Sequence, residues 1–311
     1  MITTITLNVA VDKAYVIGKL TDHTVMRVNR CTNTAGGKGL NVAKVVHLCG
    51  EEVQATGFVG GFNGAYVEDM LKKQNIPSRF VHVQGETRSC INVLDEDGGS
   101  TEFLEPGEPI RPEEVQEFLD QFDDIIADSS VVTISGSVPK GVDVTMYAKL
   151  IEKIKAQGKK VVLDTSGALL KESIKACPTM VKPNTDEIED LLGIKVNNHK
   201  DLVEGAKKLH EMGIPVVVVS LGGDGALVVS DEGVFRGQPP KIEVVNTVGC
   251  GDSMTAAFAV AFARGLSVQE ALRYAIAVSA ANAMTMETGR FREEDRVHNM
   301  KGVKVYLEPE A

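Results

Sequence analysis

The stretch LNVAKVVHLCGEEVQATGFVG, Leu40 to Gly60, joins two different periodicities. Its first half spaces apolar residues along one face of a helix, and its second half is an apolar run bounded by glycine. With ITTITLNV (residues 2–9) upstream, it makes a strand, a helix and a second strand. The alternation recurs. Tyr66 to Gln74 reads as a helix, and VVTIS (131–135), VVLDTS (161–166), MVKPN (180–184) and VVVVSLG (216–222) read as strands. Continuous apolar strands separated by helices predict an α/β fold with a parallel sheet covered on both faces. Right-handed crossovers then align the strand carboxyl ends along one edge, where ligands of such folds gather.

Two segments interrupt the alternation. Lys13 to Cys31 is hydrophilic and β-leaning, and TRSCINVLDEDGGSTEFL (87–104) reads as a hairpin around an Asp-Gly-Gly turn. Together they suit a small sheet that projects as a lid, the alternative being a decorated surface hairpin. The expected division is a main domain of residues 1–12, 32–84 and 107–311, with an inserted lid of residues 13–31 and 85–106. From Asn197 onward the chain continues as α/β, with GGDG as a hairpin turn between VVVVS and ALVVS, and ends in two helical segments.

Composition narrows the function classes. The 311 residues are 43% apolar and 24% charged, enough for a sizeable core. With 33 basic and 43 acidic residues the formal charge is −10, so no basic face is offered to nucleic acid or anionic lipid. The five cysteines (31, 49, 90, 177 and 250) form no CxxC pair, which argues for a reducing, cytoplasmic setting without a zinc site. The longest apolar stretches are about half of the roughly 20 residues that a membrane span needs.

Candidate chemistry lies in glycine-rich helix entries. Gly249-Cys250-Gly251-Asp252 precedes the small, apolar run SMTAAFAVAFA. A helix start has unpaired N–H groups, and glycines let phosphate oxygens approach them, so this turn can form an anion hole with Asp252 beside it. In phosphoryl transfer such a carboxylate can take the proton of the attacking hydroxyl. The competing reading is a plain first-turn acid. No G-x-x-x-x-G-K-[ST] loop, three-glycine dinucleotide fingerprint or protein-kinase motif occurs.

A second entry, TAGGKGLN (34–41), offers backbone amides, the Lys38 charge and the Asn41 amide. Asn8 and Asp12 follow the first strand, where their side chains can meet polyol hydroxyls or simply form a turn. Arg88 opens the hairpin and Arg27 lies in the other excursion, each able to reach a substrate phosphate or remain solvated. In VKPNTDE, Asn184 and Glu187 stand at capping-box spacing, and the same pair can hold hydrated Mg²⁺. Ser220, Gly222 and Gly225, in SLGGDGALVV, can present amides to a nucleotide or serve a hairpin turn. Asn282, in an apolar helix, can bond a base or a neighbouring helix.

The order of AGGKGLN, TRSCIN, SGSVP, VKPN..E, SLGGDGA and NTVGCGDSM resembles that of the ribokinase-like (PfkB) sugar kinases over essentially the whole chain. Within them it looks most similar to the branch holding 1-phosphofructokinase and tagatose-6-phosphate kinase. The resemblance implies a doubly wound sheet with a β lid, the lid pairing between subunits as a homodimer. It also implies ATP- and Mg²⁺-dependent phosphorylation of a ketohexose phosphate. By motif, Asp252 takes the base role and Gly249, Cys250 and Gly251 the anion hole. Asp12, Gly36, Gly37, Lys38, Asn41, Arg88, Ser137 and, more weakly, Arg27 take the sugar-phosphate side. Asn184, Ser220, Gly222, Gly225, Gly251 and Asn282 take the nucleotide side, with Asn184 and Glu187 toward magnesium. Cys250 stands where the family has Ala or Ser. At a helix start its thiol would have a lowered pKa and be oxidisable, unless it is a small buried hydrophobe.

Fructose 1-phosphate is the leading expected substrate and tagatose 6-phosphate the alternative. A non-catalytic sensor of sugar phosphate or nucleotide would need neither Asp252 nor the Asn184–Glu187 pair. Kinases of uncharged sugars would give Lys38 and Arg88 no anion to meet.

Overall fold

The computed structural model describes residues 1–97 and 99–308. The chain opens with β1 (Ile2–Thr6), whose five residues are all buried, and passes at once into β2 (Ala10–Val16) and β3 (Arg30–Gly36). Helix α1 (Lys38–Leu48) then leads through β4 (Val53–Gly60) and α2 (Gly61–Lys73) to β5 (Ser78–Val83). After β6 (Arg88–Leu94) and β7 (Ser100–Leu104) come α3 (Pro112–Ile125), β8 (Val131–Ser135), α4 (Met146–Ala156), β9 (Lys160–Asp164) and α5 (Gly167–Ser173). The two-residue β10 (Met180–Val181) stops where Pro183 removes an amide and Asn184 caps α6 (Thr185–Leu192). Next are α7 (His199–Glu211), β11 (Val216–Ser220), β12 (Ala226–Ser230) and β13 (Gly233–Gln238). The chain then forms α8 (Cys250–Ala263), α9 (Val268–Ala283), α10 (Glu293–Gly302) and β14 (Lys304–Leu307).

The large sheet has the order β14-β13-β12-β11-β10-β9-β8-β1-β4-β5, parallel from β5 to β11 and antiparallel beyond. It is the expected α/β architecture, with a helix layer on each face. Residues of α1, α2, α8 and α9 join one core cluster, and those of α3 to α7 join the other. The chain runs outward from β1 to β4 and β5, then returns to β8 on the other side of β1. The β1/β8 boundary is therefore the topological switch point, where a crevice opens at the carboxyl ends.

The second sheet, β3-β2-β6-β7, stands apart from the first. Its strands overrun the limits read from the sequence. Pairing of Ala10 with Gly36 carries β2 and β3 back to the rim, so Asp12 sits in the small sheet and not past the end of β1. The β6–β7 turn contains Gly98, which lies outside the described residues. Helix α2 begins five residues before Tyr66, because Glu86 accepts hydrogen bonds from the Phe62 and Asn63 amides at its start. The C-terminal part also differs from two helices. It holds three, followed by β14, which pairs with β13 at the sheet edge.

Contact between α1 and β1 is set by Gly39. A Cβ there would lie 2.2 Å from Thr6 Oγ1 and 2.5 Å from the Ile5 carbonyl oxygen. Gly39→Ala should push the helix off the strand and cost about 1–3 kcal/mol. Denaturant unfolding will show this as a lowered midpoint; an unchanged midpoint would mean that the helix does not rest on β1 so closely.

Candidate active site

The strands deliver their polar ends to one rim. Asn8 follows β1, Ser137 follows β8, Asp164 ends β9, Lys182 and Asn184 follow β10, and Ser220 ends β11. Into the same rim point the starts of α1 and α8, and neither carries a side-chain cap. Gly37 and Gly249, their N-cap residues, have φ of 106° and 81°, which only glycine adopts without strain.

Asp252, in the first turn of α8, is 7% exposed, and Asn41 Nδ2 of α1 donates to its Oδ2 at 2.8 Å. Asn41 Oδ1 is itself buried without a partner, an acceptor open to a ligand hydroxyl. Asp164, 5% exposed, sits nearby. It pairs with Lys182 Nζ at 3.4 Å and Lys38 Nζ at 3.9 Å, and accepts a hydrogen bond from Thr255 Oγ1 at 3.1 Å. Lys38 keeps its side chain half exposed and feels the charges of Asp164, Asp252 and Glu187.

These neighbours set the proton affinities. Burial, reinforced by the Asp164 charge, pushes the Asp252 carboxyl up to about 6, against the pull of Asn41, Lys38 and Lys182. Burial also raises Asp164, but Lys182, Lys38 and the Thr255 hydroxyl together hold it below the ordinary carboxyl value. Two nearby carboxyls thus diverge, one kept ionised and one poised near neutrality, a pattern that marks acid–base sites.

On the other flank the Asp12 carboxyl lies over Gly36, where a Cβ would come within 2.1 Å of Asp12 Cγ. Burial raises Asp12, while Lys44, the Gly37 amide and Arg88 draw it down. Arg88 donates to the Asn8 carbonyl (3.2 Å) and the Glu105 carbonyl (3.1 Å), and its Nε is buried without a partner. Asn8 Nδ2 donates to Ser137 Oγ at 3.0 Å, linking this flank to Gly136, which lies against Lys38.

Toward β10 and β11, the Asn184–Glu187 capping box is formed as expected. Asn184 N–H donates to Glu187 Oε2 at 2.9 Å, and Oε1 has no hydrogen bond among the described residues. The Ser220 amide donates to the Pro183 carbonyl at 3.1 Å, so the GGDG turn adjoins the capping box. Nothing within 4 Å would obstruct a Cβ on Gly222, whereas one on Gly225 would meet the Gly237 carbonyl at 2.1 Å.

Two expectations are corrected, the Cys250 amide as an open donor and Asn282 as a contact to a base. The Cys250 amide bonds to the Thr247 carbonyl at 3.2 Å, which leaves Gly249, Gly251 and Asp252 N–H as the open donors of the turn. Its thiol is raised by burial, against the pull of the Asn282 and Ser279 side chains, as the reading of a small buried hydrophobe expects. Asn282, fully buried, uses its amide on the protein itself, donating to the Val248 carbonyl and accepting from the Gly289 and Arg290 amides. It braces the turn from beneath and has no face left for a base. Arg27 is exposed in the β2–β3 connection.

A model of pfkB family carbohydrate kinases matches residues 4–295. The chain belongs to that family. It is 38% identical over 98% of its length to a tagatose-6-phosphate kinase of Staphylococcus epidermidis, of which it covers 99%. Phosphofructokinase-2 of Escherichia coli, solved in complex with potassium, superposes with a TM-score of 0.91 at 29% identity, covering 96% of this chain and 98% of that one. A possible 1-phosphofructokinase of Thermotoga maritima gives 0.90 at 28% identity, covering 99% and 100%. The chain is a phosphotransferase with an alcohol group as acceptor.

Sequence reasoning passed over Asp164, Lys182, Thr255 and Lys44. Asp164 ends an apolar strand in VVLDTS and Lys182 stands in the quoted VKPN, so strand-edge logic was available for both. Thr255 and Lys44 lie inside apolar helical runs, where only their burial reveals them.

Because Asn41 stabilises the charged form of Asp252, its removal should raise that carboxyl further. Asn41→Ala is expected to shift the acid limb of kcat/KM from about pH 6 upward by as much as about one unit. A pH–rate profile checks this; an unmoved limb would mean that Asn41 does not tune Asp252.

Proposed function

We propose that this chain transfers the γ-phosphoryl group of ATP to a hydroxyl of a ketohexose phosphate. The observation that carries the reading is Asp252, a buried carboxyl held near neutral pKa beside the open amides of α8. At neutral pH it is largely ionised, so it can accept the proton of the sugar hydroxyl as that oxygen attacks phosphorus. The Gly249, Gly251 and Asp252 amides face the charge that develops on the phosphoryl oxygens. Lys38, from the start of α1, adds a point charge on the same side.

The sugar side of the reading rests on Asp12, Gly36, Gly37 and Asn41 for hydroxyls, with Lys38, Arg88 and Ser137 toward the phosphate. The unpartnered Asn41 Oδ1 and Arg88 Nε support it, since each is a buried group left for a ligand. The nucleotide side rests on Asn184, Ser220 and the Gly222–Gly225 turn. Glu187 suits Mg²⁺ through water, because one carboxylate oxygen serves the cap and the other is open. Bound Mg²⁺ would neutralise phosphate charge during transfer.

The small sheet is read as a lid that excludes water from the transfer. Exposed Leu20, Val25, Phe103 and Leu104, on the lid strands and the β2–β3 connection, support pairing with a second copy. Five unpaired cysteines support a reducing, cytoplasmic setting. For the substrate, fructose 1-phosphate is the first reading. The relatives named tagatose-6-phosphate kinase favour tagatose 6-phosphate as the second.

ADP release measured with both sugars, fructose 6-phosphate and free fructose decides among substrates. The reading expects turnover on a ketohexose phosphate and little on free fructose; equal rates on free fructose would contradict it. Asp252→Asn should lower kcat by about 10²- to 10⁴-fold. Retention of activity within about tenfold would remove Asp252 from the base role.

A further inference from the structure

We propose that Lys44 is a positioning residue for sugar binding, tying down from behind the site the β3 backbone on which the Asp12 carboxyl is seated and placing a cation behind that carboxyl. The proposal rests on the reading of Asp12 as a sugar ligand. Lys44 lies in the middle of LNVAKVVHL, on the buried face of α1, and is only 7% exposed. Burial lowers the proton affinity of this amine, and Asp12, Asp252 and Glu287 draw it back up, so the ammonium depends on anionic and carbonyl partners to offset its lost hydration. Its Nζ donates to the Ala35 carbonyl at 3.1 Å. Ala35 in β3 lies between Thr34, the cross-strand partner of Asp12, and Gly36, on which the Asp12 carboxyl rests. The hydrogen bond therefore fixes the ammonium against the backbone that seats Asp12.

The spacing along α1 gives this meaning. Lys38, Asn41 and Lys44 stand at i, i+3 and i+6, successive neighbours along α1 that turn about 120° around its axis. Lys38 reaches Asp164, Asn41 donates to Asp252, and Asp12 is the anion that acts most strongly on Lys44. One helix thus serves all three carboxyls of the rim, Asp164 and Asp252 buried and Asp12 partly exposed. The groups facing Lys44 are Asp12 from β2, Asp252 from α8 and Glu287 from the segment after α9. Those facing Asp12 are Lys44 and the Gly37 amide from α1, Arg88 and Cys90 from β6, and Glu102 from β7. Arg88 is the other cation near Asp12, and it is turned toward carbonyls of Asn8 and Glu105.

The test is the pH dependence of KM for the preferred sugar phosphate, with kcat measured alongside. Lys44→Gln keeps a donor for the Ala35 carbonyl and removes the charge, and Lys44→Met removes both. Each should raise KM severalfold, and more toward the acid end of the profile, where Asp12 takes up its proton, than toward the alkaline end, with a smaller change in kcat. Added to Asp12→Asn, Lys44→Gln should produce little further pH-dependent rise. If Lys44→Met fails to fold, Lys44→Gln still carries the test. A wild-type KM profile in Lys44→Gln, or an undiminished rise in the Asp12→Asn background, would overturn the proposal. Unchanged KM in Asp12→Asn alone would instead sink the reading of Asp12 as a sugar ligand.

Discussion

Two carboxyls buried at the mouth of one crevice, Asp252 and Asp164, are the constraint around which the molecule is arranged. Like charges in a poorly hydrated site disfavour joint ionisation. The protein resolves this by giving Lys38 and Lys182 to Asp164 and a single neutral amide, from Asn41, to Asp252. One carboxyl is then a fixed charge and the other a proton acceptor near neutrality. Remove the burial and Asp252 becomes an ordinary surface acid with no catalytic leverage.

Burial depends in turn on packing. Helix α8 is apolar on all sides and buried from Asp252 to Phe262, so its N-terminus is held rigidly where β1, β8 and β9 end. Gly39 brings α1 against β1, and Gly249 takes the left-handed conformation that opens the turn. Asn282 ties that turn to the Gly289–Arg290 loop, which lies against Asn41. The small sheet adds Asp12 and Arg88 from the opposite side. Each part supplies a few groups, and the switch point of the sheet is where they meet.

The alternation of apolar runs and helices was enough to read the layered sheet, because burial on both faces forces continuous apolar strands. Glycine entries such as Gly36–Gly39 and Gly249–Gly251 were legible because few other residues permit a bare helix start. The helical approach to the site was harder. Lys44 looks in sequence like any surface lysine, and only tertiary packing turns it inward. Asn282 carried the opposite error, since a polar side chain in an apolar helix signals a partner but not which one. Cys250 offered two readings, a helix-start thiolate and a small buried hydrophobe, and its depth decides for the second. The helix start favours a thiolate, but burial opposes it more strongly, and depth cannot be read from neighbours in the chain. The extent of the small sheet was obscured because Val9 to Val11 continue the apolar pattern of β1 while already belonging to another layer.

The most direct measurement is the titration of Asp252 itself, by carboxyl ¹³C shifts in aspartate-labelled protein, with Asp252→Asn identifying the resonance. A midpoint of about 6 is predicted. A midpoint at the ordinary aspartate value of about 3.9 would show a hydrated carboxylate and contradict the account of a buried base.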